Sequence, residues 1–132
     1  MTDKEALTIV CLRFESGEAA TVMEYPKEML KGNTESLLLA LVAGTPMYGY
    51  QLVKELENRS RGYFHLKEGT LYPALHRLEK DCLLEGKWMP SPSGQKRRYY
   101  HLTDKGQHAL ESRVSQWAGF SQAVSMVLAR TA

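Results

Sequence analysis

At 132 residues the chain suits a single domain with a modest core, and its 43% apolar and 24% charged residues are those of an ordinary soluble globular protein. Its longest apolar run, Leu37 to Gly44, is far short of the roughly 20 residues that span a bilayer, so no membrane partner is expected. Asp3 and Glu5 beside Lys4 deny the N-terminus the basic start of a secretion signal. Two widely separated cysteines, Cys11 and Cys82, suit a reducing cytoplasm better than a disulfide framework.

The net charge of +2 says little about partners, but its distribution says more. Residues 1–25 carry a net of −3, whereas residues 83–103 hold Lys87, Lys96, Arg97 and Arg98 against Glu85 alone. Positive charge is concentrated in one short segment, where a phosphate backbone would be met.

In chain order, residues 1–25 form an N-terminal extension. Leu7 to Phe14 and Ala19 to Tyr25 are either two strands around Glu15-Ser16-Gly17-Glu18 or a mostly irregular acidic segment. Pro26 to Ala43 reads as a first helix: proline tolerates an opening turn, and Leu30, Leu37, Leu38 and Leu41 recur at helical spacing. Gly44-Thr45-Pro46 closes it. A second helix runs from about Tyr48 to Ser60, burying Leu52, Val53 and Leu56, and Arg61-Gly62 turns out of it. Tyr63 to Leu66 is expected as a short strand, followed by a third helix from about Glu68 to Asp81.

Leu83 to Met89 and Arg97 to Leu102 read as two strands, since the Pro90-Ser91-Pro92-Ser93-Gly94 stretch between them is loop chemistry. Thr103 is the expected N-cap of a last helix reaching about Arg130. The fold class is therefore mainly α with a small β-hairpin. Residues 26–103 form a winged helix-turn-helix, and residues 104–132 a long C-terminal dimerisation helix. In such a domain the third helix enters a major groove while the hairpin reaches the neighbouring backbone.

The third helix has two faces. Leu71, Leu75 and Leu78 make an apolar stripe for the core, and the other side presents Thr70, Tyr72, Pro73, His76, Arg77 and Lys80, with Lys67 just ahead. Arg and Lys reach guanine edges or phosphates, and hydroxyls bond phosphate oxygens. Any surface helix has a solvated face, but this one is followed by Lys96, Arg97 and Arg98 on the hairpin. Tyr99 and Tyr100 alternate faces of that strand, so one packs inward. In the last helix Leu110, Val114, Trp117, Val124 and Leu128 follow coiled-coil-like spacing, consistent with pairing against a second copy or against the first helix, with Ser121 as a polar interruption. Trp117 is either simple interface packing or an aromatic wall for a flat ligand.

The segments PKEMLKGNTESLLLALVAG, MYGYQLVKEL, EGTLYPALHRLEKD and GQKRRYYHLTDKG together resemble the PadR family of transcriptional regulators, in its smaller branch with a single C-terminal helix. The resemblance covers about residues 26 to 128. It implies a homodimeric winged-helix repressor on a palindromic double-stranded DNA operator, in some members released by an aromatic or hydrophobic small molecule. It places Thr70, Tyr72 and Arg77 on the recognition helix and Lys96, Arg97 and Arg98 on the wing. The chain departs from the family at Cys82, where glycine is usual, and residues 1–22 lie outside the pattern, with Met23 where members commonly begin.

No metal-ligand spacing, phosphate loop or nucleophile elbow is present, so neither cofactor nor enzyme activity is expected. The competing reading is a winged-helix protein-interaction module without DNA binding, which would have no need of Lys96-Arg97-Arg98. Cys82 is expected to be structural rather than a redox sensor, because Asp81 opposes a thiolate.

Overall fold

A computed structural model describes residues 32–129. The N-terminal extension and residues 26–31 lie outside the described residues; the first helix, expected from Pro26, begins within the described residues only at Thr34, after a turn at Gly32-Asn33. In order the elements are α1 (Thr34–Gly44), β1 (Met47–Tyr48), α2 (Gly49–Arg59), α3 (Glu68–Lys80), β2 (Leu84–Pro90), β3 (Lys96–Leu102) and α4 (Asp104–Leu128). Mostly helical with one small antiparallel sheet, this is the expected winged helix with its long C-terminal helix. One compact unit ends at Leu110, and α4 from Glu111 onward belongs to a second.

The core of the first unit is built on leucine. Leu38, Leu39, Leu41 and Val42 of α1 meet Leu52 and Leu56 of α2 and Leu71, Ala74, Leu75 and Leu78 of α3, all buried in one cluster. Burying a leucine fully is worth about 1.5–3 kcal/mol. Val53, expected inside α2, is only half-buried and packs on the edge of that cluster. Leu110 belongs to the same cluster at 8% exposure. It therefore stands apart from the exposed row expected along the last helix.

The sheet corrects one expectation. Its strand order is β1-β3-β2, with Met47 opposite Tyr100 and Tyr48 opposite Tyr99. The third strand thus comes from the turn before α2, and Tyr63 to Leu66 forms none. That segment satisfies its backbone locally: Tyr63 N–H donates to the Ser60 carbonyl at 3.0 Å and Phe64 N–H to the Ser60 hydroxyl at 2.9 Å. Its alternating Phe64 and Leu66 do pack on the core, so the period-two pattern recorded burial without strand pairing. Tyr100 is the inward tyrosine of β3, as alternation requires.

Two helices end in the same way. After α3, Leu83 N–H donates to the Leu78 carbonyl and Cys82 N–H to the Glu79 carbonyl, both at 2.9 Å, with Cys82 at φ 62°. After α2, Gly62 N–H reaches the Glu57 carbonyl at 2.8 Å and Arg61 N–H the Asn58 carbonyl at 3.1 Å, with Arg61 at φ 53°. These are Schellman terminations, in which a left-handed residue lets two orphan carbonyls find donors. Thr103 then caps α4, its hydroxyl accepting from Gly106 N–H at 2.9 Å and donating to the Cys82 carbonyl at 2.7 Å. Lys105 Nζ adds a bond to the Asp81 carbonyl at 3.0 Å, so the start of α4 is fastened to the turn leaving α3.

In the second unit, α4 exposes Val114, Trp117, Phe120, Val124, Met126, Val127 and Leu128 while Ser121 is buried.

The left-handed backbone at Cys82 yields a stability test. A Cβ there costs roughly 1–2 kcal/mol, and the side chain is exposed, so it gives little back. Cys82→Gly is expected to raise the denaturation midpoint by about 1 kcal/mol of stability. A lower midpoint in urea would show that the thiol packs where the exposure says it does not.

Candidate nucleic-acid interface

Because Leu71, Ala74, Leu75 and Leu78 all turn into the core, the rotation of α3 is fixed and its opposite side must face outward. Thr70, Tyr72, Pro73, His76, Arg77 and Lys80 are all exposed there, and Lys67 is exposed at the N-cap. Pro73 removes one helical N–H, and the residue four before it is Gly69, whose carbonyl therefore lacks its usual donor.

Several of these residues have work inside the protein. Arg77 Nε lies 3.1 Å from Glu35 Oε1, tying α3 to α1, although its side chain is 59% exposed. The Tyr72 hydroxyl lies against the α-carbon of Gly49, at the first residue of α2, where any side chain would collide with it. Tyr72 thus leans across the α2 start rather than standing free.

The hairpin pairs in register from Leu84 opposite Leu102 to Pro90 opposite Lys96. Its tip is closed by Ser91, a buried residue: Ser91 N–H and hydroxyl both donate to the Gln95 carbonyl, at 2.9 and 2.7 Å. Lys96 is exposed beside the tip. Arg97 is half-buried, its guanidinium 4.8 Å from the centre of the Tyr48 ring, and Tyr48 meets Tyr99 edge-on at 5.3 Å. Arg98 turns to the other face of the sheet and bonds Glu79 of α3 at 2.6 Å.

The three wing cations are therefore not equivalent. The Glu79 carboxylate raises the Arg98 guanidinium above its ordinary value, against the opposing effect of desolvation. Burial likewise pushes the Tyr100 phenol up. Among the described residues, Lys67, Lys80 and Lys96 enter no ion pair and stand exposed at the start of α3, at its end and on the wing. No group of His, Cys, Asp or Glu among the described residues could hold a metal ion.

Residues 38–112, which contain α3 and both wing strands, match the Transcriptional regulator PadR-like family. The chain belongs to that family. It is 32% identical over 101 residues to an uncharacterized protein of Lysinibacillus sphaericus, covering 76% of this chain and 93% of that one. A transcriptional regulator of Mycobacterium tuberculosis is 40% identical over 73 residues, 55% of this chain and 64% of the other. Among solved structures, a PadR-like transcriptional regulator from Bacillus cereus superposes with a TM-score of 0.71 at 36% identity, covering 79% of this chain and 99% of that one. One from Eggerthella lenta gives 0.67 at 33% identity, covering 79% and 88%. The protein is thus a DNA-binding transcriptional regulator of the PadR family, not an enzyme.

Sequence reasoning missed two PadR-domain residues that shape this surface, Glu79 and Gly86. No spacing or motif in the sequence sets Glu79 apart from the other charges of that helix. Gly86, in the middle of a strand, is a signal of close backbone approach, and the approaching group is the Arg98 guanidinium.

The wing cations also differ in what they do for the fold. Arg97→Ala is expected to lower the denaturation midpoint by about 0.5–1 kcal/mol, the worth of a cation over an aromatic face. Lys96→Ala should leave it unchanged. Equal effects in urea denaturation would mean that the Tyr48 contact contributes nothing.

Proposed function

We propose that this PadR-family protein is a cytoplasmic, dimeric repressor that reads a palindromic operator with α3, and that Lys67, Lys80 and Lys96 supply its phosphate contacts. The observation carrying this reading is the exposed face of α3, bracketed by unpaired lysines at both ends and by a third on the wing. Thr70, Pro73 and His76 lie between them, where base edges would be met. Arg77, Tyr72, Arg97 and Arg98 have internal partners and shape the surface more than they extend from it.

The dimer is supported by α4. Val114, Trp117, Val124 and Leu128 are exposed in the single chain, together with Phe120, more apolar area on one helix than a monomer ordinarily leaves in water. A second copy bringing its own α4 would cover it and set two α3 helices about one DNA turn, roughly 34 Å, apart. This is the arrangement of the family branch with a single C-terminal helix. Release by a flat aromatic effector is supported by Trp117 and Phe120, whose rings lie 6.0 Å apart on this helix and offer a stacking surface.

DNA selected from a random-sequence duplex pool by the purified protein would supply the operator, and a mobility shift against salt would test the contacts. Lys67→Ala, Lys80→Ala and Lys96→Ala are each expected to flatten the log–log salt dependence of the dimer by about 1.8, one phosphate of about 0.9 lost from each copy. No binding to any duplex at low salt would instead favour the protein-interaction module. Trp117→Ala is expected to weaken the dimer by about 3–5 kcal/mol, measured by sedimentation at micromolar concentration. A full-strength dimer with an unaltered response to planar aromatics would remove Trp117 from both roles.

A further inference from the structure

The most strongly constrained charge on the wing is the one least available to DNA. Arg98 NH2 and Glu79 Oε2 are 2.6 Å apart, with side chains only 35% and 22% exposed. The guanidinium also lies 5.9 Å from the centre of the buried Tyr100 ring. Trp88 is its partner across the hairpin, yet the side chain runs back diagonally over Gly86 to reach α3. A Cβ on Gly86 would come within 2.5–2.6 Å of Arg98 Nε, Cζ and NH2, so the strand is left bare where the guanidinium crosses it.

We propose that Glu79 and Arg98, seated on Gly86, form a clamp that sets the position of the wing relative to α3, making both positioning residues for DNA reading rather than phosphate contacts. The inference rests on the DNA-reading surface proposed above.

A two-stranded ribbon is marginally stable by itself, and beyond Lys87 and Tyr99, where the pairing with β1 ends, this one runs out past the core with exposed or half-buried residues. Its angle to the recognition helix needs a tie placed part-way along it. Arg98 suits that task, because a planar guanidinium can stack on a ring and bond a carboxylate in fixed geometry. If helix and wing must touch the same duplex, an error in that angle displaces every contact the wing makes.

The clamp and the phosphate-contact alternative predict opposite signs for one substitution. Glu79→Ala removes a negative charge from a DNA-facing helix, which by charge alone tightens binding. As a clamp residue its loss weakens binding. Gly86→Ala is equally informative, since it displaces the guanidinium without altering any charge.

The experiment measures full-length protein on a duplex selected by the wild type, across a salt series. Glu79→Ala, Arg98→Gln and Gly86→Ala are each expected to weaken binding by about tenfold with the wild-type salt slope retained, and Arg98→Lys to recover only part. The Glu79→Ala, Arg98→Gln double variant should be little worse than either single one. An Arg98→Gln slope flatter by about 1.8, one phosphate of about 0.9 in each half of the proposed dimer, or a Glu79→Ala variant that binds more tightly, would overturn the clamp. Amide hydrogen exchange of β2 and β3 in Glu79→Ala reads the same tie without DNA. Faster exchange towards the hairpin tip is expected, and unchanged protection also overturns the proposal. Were the wild type to bind no duplex, the functional reading would fall, while this exchange measurement would still decide the clamp.

Discussion

The rest of the structure depends on the burial of one stripe of α3. Leu71, Ala74, Leu75 and Leu78 are fully inaccessible, packed with α1 residues Leu38 and Leu39 that are equally so. Close-packed interiors tolerate little rotation, so the stripe fixes which residues of α3 look outward and where its C-terminal turn lies. From that turn the chain can only leave by the left-handed step at Cys82, which aims β2 away from the helix and starts the wing. The recognition surface is thus a consequence of the core, and the polar residues on it were free to be chosen for something other than stability.

The division of labour among cations has a physical reason. Arg77, Arg97 and Arg98 each have an internal partner, a carboxylate or an aromatic face, whereas Lys67, Lys80 and Lys96 have none among the described residues. Guanidinium is weakly hydrated, planar and built for stacking and directional bonds, so it tolerates partial burial. Ammonium is a compact, strongly hydrated point charge on a flexible stem, and it stays in water until a phosphate replaces that water. A tally of basic residues on the hairpin treats the two alike. On partner chemistry, these three lysines are the cations that the proposed phosphate contacts would use.

Much of this was legible in the residues themselves. The leucine periodicity of α3, the loop chemistry of Pro90 to Gly94 and the capping threonine at Thr103 each state a local preference that the fold obeys. Cys82 is a sharper case: a helix ending at about Asp81 needs a left-handed residue next, and the backbone has one. What the sequence could not supply was pairing between distant segments. Met47-Tyr48 is too short for a strand signal and becomes one because β3 has an open edge beside it. Tyr63 to Leu66 had the signal and no edge to join. The internal partner of Arg98 was hidden for the same reason, since Arg98 looks like its neighbours until the hairpin register carries it over Gly86 to Glu79.

A net charge of only +2 is thin for a DNA-binding protein until the number of contacts per assembly is considered. The three lysine contacts proposed per chain, at about 0.9 of slope for each phosphate, would give a single copy a log–log salt dependence of roughly 3, which is modest. Two copies on the proposed two-fold operator would double it, and the second head would bind at the high effective concentration that the first creates. Weak heads then become an asset, because either alone leaves non-specific DNA readily while both together hold a site of the right spacing. The apolar row on α4 and the thin positive charge around α3 are in this sense one design. In the proposed dimer, heads this weak would need the helix that joins them, and the exposed Trp117 and Phe120 would be covered by the second copy.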